Sequence, residues 1–424
     1  MGFHRTVSLM RGICILLLAS QAAPAQEIAA PRASIRPSVA RVAPGRTQQF
    51  RVVLAPGWLR AAQVASGVAW TVNGVPGGST RVGTIDRGGL YRAPTGAKRA
   101  REVHIGATVK TAVNRHVWAT AIVGAGQPAY ALVTKWEEPS DGSVHLKDPT
   151  AIAVDPEGNL VIADMGASKV FRYSPKGAFL GTLGGGSGNT VGALAGPRAI
   201  AVDAAGRVYV GDLHTGPPRI QVFGRVGKLL HAFGQKGIGP GKVMLPQAMT
   251  VDPTGRLLVA DAECMRVTIY RRDGTLLDTW QRSGTGAGEL NEPYGVVADA
   301  NGDVFVPGYY GPCQKFTSRG ELLFAFAHPG PPRGPVVFTS ASGDRWGNVF
   351  LAVRDSRGIV TNSANPEPKP ARILKYNNSG DLVATIPLWG DECGENAAAV
   401  DGQDRLYVLF KRGKSAGVAV FAPQ

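Results

Sequence analysis

The stretch AIAVDPEGNLVIAD, residues 151–164, sets a turn of the form Asp-x-x-Gly, Asp155 to Gly158, between two apolar runs. The same unit returns as AIAVDAAGRVYVGD with Asp203 and Gly206, and as MTVDPTGRLLVAD with Asp252 and Gly255. It returns again as VVADANGDVFV with Asp299 and Gly302. Two looser copies follow: SASGDRWGNVFLAV with Asp344 and Gly347, and AAAVDGQDRLYVLF, where Asp404 stands in place of the glycine after Asp401. The Asp-to-Asp steps are 48, 49, 47, 45 and 57 residues. A period of about 40–50 residues with several short strands per unit is the sequence signature of a β-propeller.

Each unit reads as four strands, a to d. The first unit places them at 150–155, 159–164, 169–173 and 179–183. The long step of 57 is explained by an insertion, TNSANPEPKPA, whose Pro and Asn content marks a surface loop between strands b and c of the fifth unit. The sixth unit ends at VAVFAPQ without a fourth strand. YALVTKW, Tyr130 to Trp136, matches the d strands in kind, so it is expected to close the last blade and leave no open ring edge.

The run Pro197-Arg198-Ala199-Ile200-Ala201-Val202-Asp203, continued through Asp212 to Phe223, resembles the NHL repeat. The resemblance spans about 290 residues and is strong in units one to four. It weakens in five and six, where the leading proline and the second aspartate are lost. It implies a six-bladed scaffold that binds a protein, peptide, glycan or RNA; a minority of similar propellers are lyases or lactone hydrolases. The repeated carboxylates read as structural: an Asp opening a tight turn accepts backbone N–H bonds two residues on, and Gly takes the left-handed position. Asp164, Asp212 and Asp261 are expected to cap the b–c connections in the same way. None is read as catalytic.

Ahead of the repeats the chain is different. Residues 1–25 carry His4, Arg5 and Arg11, a short apolar run from Ile13 to Ala19, and Ala23-Pro24-Ala25. They read as a secretory signal peptide with Gln26 as the mature N-terminus, so the chain is expected to be exported, periplasmic or extracellular. The apolar run is too short to span a bilayer, and no other segment reads as a transmembrane helix. Residues 28–125 form short strand-like runs with Trp70 as a core anchor, the pattern of a β-sandwich. VAPGRTQQF, VAWTVNGVPGG and GTIDRGGLYRAP resemble the bacterial Ig-like domains of exported surface proteins, which implies a spacer or adhesion module. The fold expectation is therefore all-β, with this Ig-like sandwich followed by a six-bladed propeller over 129–424.

The charge is uneven. Of the formal +15, residues 27–126 hold +11, with 14 Lys and Arg against Glu27, Asp86 and Glu102, and 12 of the 14 are arginines. One reading is docking to an anionic cell-surface polymer through Arg32, Arg36, Arg41, Arg46, Arg51, Arg99 and Arg101. The other is a solvated arginine-rich surface. Nucleic acid is a poor partner, since no basic-aromatic motif accompanies the charge. After the leader three cysteines remain, and the expected bridge is Cys264–Cys313 with Cys393 left over.

In an antiparallel four-stranded unit the a–b and c–d turns lie on one face, and the b–c and d–a connections on the other. The first face carries short repetitive turns, which offer little to tell one ligand from another. The second carries the variable segments, where ligand sites concentrate. Residues opening each strand a are expected to ring its mouth: Thr150, Arg198, Gln247, Tyr294, Thr339 and Asn396. The b–c connections add His214, Glu263, Tyr309, Tyr310, Arg354 and Lys411. The expected function is a non-catalytic binding scaffold for a protein, peptide or glycan, with no cofactor and no metal. The alternative is a propeller enzyme of the lyase or lactone-hydrolase type with a divalent ion at the mouth. His145, His214 and His328, or Glu395, Asn396 and Gln247, would hold that ion, although the histidines share no repeat position and Arg198 disfavours a cation.

Overall fold

The computed structural model describes residues 33–54, 67–97, 100–109, 115–124, 129–137, 146–184, 186–213, 217–309, 311–326, 336–355, 371–388, 397–412 and 415–424. The expected signal peptide, residues 1–25, lies outside them. Among the described residues every element is a strand, and no helix is long and apolar enough to cross a membrane.

Six four-stranded antiparallel sheets occupy residues 130–423. In the first, Pro149–Val154, Leu160–Asp164, Lys169–Tyr173 and Phe179–Leu183 pair in chain order. The next four repeat that order, beginning at Pro197–Val202, Pro246–Val251, Val297–Ala298 and Val336–Gly343. The sixth is assembled from both ends of the chain: Tyr130–Glu137 pairs antiparallel with Ser415–Pro423, which continues to Leu406–Arg412 and Ala398–Val400. First strands touch one another in cyclic order, including the last with the first. This is the architecture of a β-propeller.

Burial explains the sequence pattern. The b strands LVIAD, VYVGD and LLVAD are buried at every position. Neighbouring sheets cover both of their faces, so they read as unbroken apolar runs. The d strand LLHAF alternates in exposure, because one face meets solvent. Between sheets one and two, Val161, Ala163 and Val170 share a core with Ile200, Val208 and Val210. Between six and one, Phe171 and Tyr173 pack with Tyr407, Val418 and Val420.

All six turns use one device. Asp155 Oδ1 accepts the N–H groups of Glu157 (3.0 Å) and Asn159 (2.8 Å), and Asp203, Asp252, Asp299, Asp344 and Asp401 do the same. Gly158 takes φ +84°, and in the last turn Asp404 takes the left-handed position at φ +62°. The second aspartates do more than the expected capping of a corner. Asp212 Oδ1 accepts the N–H groups of Ala195 and Gly196, and Asp261 those of Met244 and Leu245. They fasten the segment leading into strand a, and Asp164 also caps its own corner, at Ala167.

The N-terminal unit has a five-stranded sheet in the order Val39–Val42, Arg115–Val123, Arg101–Val109, Val68–Val72 and Val75–Pro76. A four-stranded sheet of Thr47–Gln49, Leu90–Arg92, Gly83–Ile85 and Gly78–Ser79, and the pair Ala33–Arg36 with Arg51–Leu54, complete it. One core cluster holds Ile35, Phe50, Trp70, Tyr91, Ile105 and Ala119 from all of them.

This unit sits on the a–b and c–d turns of sheets four and five. Lys375, in the third strand of sheet five, donates to Glu102 Oε2 at 2.8 Å. Arg115 reaches Asp303 Oδ2 at 2.9 Å, and the His116 N–H donates to Asn301 Oδ1 at 2.9 Å. Ser38 Oγ donates to Asp381 Oδ2 at 2.6 Å. Trp346, buried in the fifth turn, stacks on His104 at 4.7 Å between ring centroids and meets Trp118 edge-on at 4.9 Å. Its indole N–H donates to Asp404 of the sixth turn. So the turn face that read as too uniform to discriminate a partner carries the seam between the two units.

Candidate binding site at the channel mouth

The six first strands surround a cavity of about 280 Å³. Its walls are small: Ala151, Ala153, Ala199, Ala201, Ala248 and Ala341 are among them, with the hydroxyls of Thr250, Ser340 and Ser342.

A recurring irregularity furnishes the mouth. In sheets one, two, three and five the pairing of strands a and b slips at one residue: the second of strand a in the first three, and the fourth of Val336–Gly343 in sheet five. The residues skipped are Thr150, Arg198, Gln247 and Thr339. A β-bulge leaves one residue out of the ladder and re-aims its side chain, and here all four line the cavity. Tyr294 occupies the same repeat position in sheet four and also lines it. In sheets one to three the residue before the bulge is a proline, which has no N–H to offer the ladder; in sheet five it is Phe338, so the bulge does not require the proline.

The mouth residues are held. Arg198 Nε donates to Gln247 Oε1 at 2.7 Å, joining sheets two and three. Thr150 Oγ1 donates to the Pro197 carbonyl at 2.9 Å, joining one and two. Tyr294 packs against Tyr309, ring centroids 4.3 Å apart. Backbone bonds from Tyr294 N to Pro307 O (3.0 Å) and from Tyr309 N to Glu292 O (2.9 Å) fix the two rings in place. Arg198 is the one charged side chain among the described residues lining the cavity.

The other expected site residues are placed unevenly. Glu263 lies half-buried in the corner after Leu257–Asp261 and does not line the cavity. Lys411 pairs with Asp148 at 2.8 Å, tying sheet six to the approach of sheet one. The backbone of Arg354 belongs to the strand Val349–Asp355. His214, Tyr310 and Asn396 lie outside the described residues, as do His145, His328, Glu395 and Cys393. Among the described residues no three His, Cys, Asp or Glu side chains gather in a metal-binding group.

The expected Cys264–Cys313 bridge is absent: the two thiols are not joined, and both are buried. Cys313 is not in a corner at all. It opens the strand Cys313–Phe316 and packs into the core with Phe338, Val353 and Leu374, between sheets four and five. Burial pushes its thiol well above the usual range. Cys264 sits in the corner of sheet three, so adjacency in the repeat does not bring the sulfurs together. Arg36, Arg41, Arg46 and Arg51 are exposed, but Arg101 is half-buried and donates to the Arg81 carbonyl at 2.7 Å, and Arg32 and Arg99 lie outside the described residues.

No protein-family model matches the chain. Three solved β-propeller structures are similar at low identity. A streptogramin B lyase is 12% identical, with a TM-score of 0.45 over 85% of this chain and 99% of that one. The PQQ-bound aldose sugar dehydrogenase of Streptomyces coelicolor is 12% identical, with 0.48 over 71% and 99%. A gluconolactonase of Xanthomonas campestris is 15% identical, with 0.46 over 70% and 95%.

Proposed function

We propose that this chain is an exported binding scaffold: an NHL-type, six-bladed propeller of residues 129–424 carrying an immunoglobulin-like unit of residues 28–125. Its ligand is a peptide, glycan or protein that presents an acidic group to the channel mouth, at Arg198, Gln247, Tyr294 and Tyr309. The observation that carries this reading is the convergence of the bulge residues on one cavity whose only charged lining side chain, among the described residues, is an arginine. Arginine and tyrosine carry much of the binding energy at interfaces, since each couples a large contact to a hydrogen bond. Exposed Arg36, Arg41, Arg46 and Arg51 give the N-terminal unit a cationic surface suited to an anionic polymer.

The test is a glycan and peptide array with matched acidic and neutral members. Acidic members should be retained preferentially, and Arg198→Ala or Tyr294→Ala should each weaken retention about 30-fold, or about 2 kcal/mol. Equal retention of acidic and neutral members by wild type and Arg198→Ala would sink the reading. A tightly held divalent ion, one per chain, in protein purified without chelator would move the mouth to a metal-dependent chemistry.

A further inference from the structure

The seam between the two units contains a histidine in an unusual setting. His104 lies in the strand Arg101–Val109, is buried, and stacks flat on Trp346 at an interplanar angle of 16°. Trp346 belongs to the ring, so the stack exists only while the units are docked. Two cations flank it. The Arg345 guanidinium lies 4.4 Å from the Trp346 ring centre, and the Lys375 ammonium is anchored to Glu102, two residues before His104.

The acids of the seam are already engaged. Glu102 and Asp344 face Lys375, at 2.8 and 3.7 Å. Asp404 accepts the Trp346 indole N–H, Asp303 holds Arg115, and Asp381 accepts Ser38 Oγ. Tyr130 Oη is 3.3 Å from Lys375 Nζ. His116, the other histidine of the seam, is bound through Nδ1 to Thr108 Oγ1 at 2.9 Å.

We propose that the seam is an acid-released latch: protonation of His104, stacked on Trp346 between Arg345 and Lys375, undocks the N-terminal unit from the turn face of the ring. A cation on the buried imidazole loses its water, shares the carboxylate of Glu102 with Lys375, and is repelled by buried Lys375 and by Arg345 at the edge of the stack. Burial first, then Lys375 and Arg345, hold the docked imidazole well below its usual value, so it is neutral when docked. Once released it returns toward about 6.5, so the released form binds more protons. Docking is therefore unaffected well above that value. Below it, the docking constant falls up to tenfold per pH unit.

Asp344, whose buried carboxyl is pushed up to about 6, and Asp303 act with the opposite sign. Burial and neighbouring Asp299 push the Asp303 carboxyl up to about 6 against the pull of Lys315 and Arg115, so it takes a proton while docked. The histidine contribution is thus isolated by difference between variants. The test is backbone hydrogen exchange on the full mature chain from pH 7.5 to 5, read at the His116 amide, whose partner Asn301 lies across the seam. After correction for intrinsic rates, wild type should lose protection there as pH falls, while amides within the ring strands keep theirs. His104→Phe keeps an aromatic stack and cannot be protonated; its loss of protection should vanish or shrink at least tenfold. Arg345 is exposed, so Arg345→Met leaves folding intact and should shift release to lower pH by removing one repelling charge. The latch is overturned if wild type shows no acid-dependent loss. It is equally overturned if the loss is identical in His104→Phe and Arg345→Met.

Discussion

Turns one to three and turns four to six share a backbone and differ in what their side chains face. In every turn the aspartate caps the same two N–H groups. In the first three, the two central residues are exposed: Pro156 and Glu157, Ala204 and Ala205, Pro253 and Thr254. In turns four and five, Asn301 and Trp346 are drawn into contact with the N-terminal unit, and Trp346 also reaches Asp404, the left-handed residue of turn six, whose central Gly402 and Gln403 are exposed. The repeat constrains only the capping aspartate and the left-handed residue. The remaining positions are at liberty to change, and they have changed where a neighbour sits. A departure from the repeat is therefore a marker of docking, and the absence of departure marks a face open to solvent.

The comparison is broken most directly at strand c. Lys375 and Arg172 hold the same repeat position, each one residue before a buried tyrosine. Lys375 is 1% exposed and serves Glu102 and Asp344 together; Arg172 is 16% exposed and lies 3.4 Å from Asp155 in its own sheet. Burial alone would depress the Lys375 ammonium, but Glu102, Tyr130 and Asp344 overrule it and keep it charged. Lys375→Met should cost about 3–5 kcal/mol, because two buried carboxylates lose their cation. Arg172→Met should cost about 1 kcal/mol, the value of an ordinary hydrogen bond, since Asp155 keeps its backbone donors. Equal losses in chemical denaturation would erase the distinction between the two halves.

A smaller contrast lies in the turns themselves. Trp346→Ala removes a buried aromatic side chain and should cost about 3 kcal/mol. Glu157→Ala, at the same place in turn one, removes only a solvent-screened partner of Arg225 and should change stability by no more than about 0.5 kcal/mol. A Trp346→Ala protein as stable as Glu157→Ala would show that the seam adds nothing to folding.

The ring was legible because its physics is periodic. Asp-x-x-Gly turns, buried b strands and the closing strand at Tyr130 all leave a pattern that repeats or visibly fails to repeat. The mouth was legible for the same reason: residues five before each turn aspartate share one register, and in sheets one to three a proline stands ahead of the bulge. The seam was hidden because it is built once. Glu102, His104, Arg115 and Trp118 alternate or abut in strands that also fill a core, and nothing local separates a side chain that faces Lys375 from one that faces water. The signal was present in Trp346, a large apolar residue in a turn otherwise filled by Glu157, Ala205, Thr254 and Asn301. The disulfide failed for the converse reason, since likeness of repeat position says nothing of the distance between sulfurs, which must bring the Cα atoms within about 7 Å.

Asp344 gives a pH test of the same contrast. Its turn is covered by the N-terminal unit, and burial pushes its carboxyl up to about 6 even with Lys375 beside it. A carboxyl raised in the folded state binds its proton more tightly there than in the unfolded chain. Its contribution is therefore full below about 4 and is lost as pH rises through about 6. Asp344→Asn keeps the cap but cannot titrate, so the stability of wild type relative to this variant should fall across that interval. A wild type whose advantage over Asp344→Asn is flat across that interval would mean that burial in the seam does not raise this carboxyl.

The smallest expected difference concerns the turn glycines. Gly158 and Gly347 both sit at positive φ, +84° and +76°, so alanine at either pays the left-handed penalty of about 1 kcal/mol. What lies next to them differs. A Cβ at position 158 would meet nothing within 4 Å, whereas one at 347 would run into the side-chain amide of Asn378. That amide is not idle: it donates to Asp299 Oδ2 at 3.0 Å, while its oxygen receives Lys315, whose ammonium also holds Asp299 at 2.8 Å. Displacing Asn378 therefore loosens the charge network of sheet four from a turn in sheet five. Gly158→Ala should cost about 1 kcal/mol and leave the rest of the ring unchanged. Gly347→Ala should cost roughly a further 1.5 kcal/mol, the lower end for one hydrogen bond to a charged group. A double-mutant cycle with Asn378→Ala locates that excess: if Gly347→Ala remains as costly when Asn378 is already alanine, the added loss does not pass through the amide.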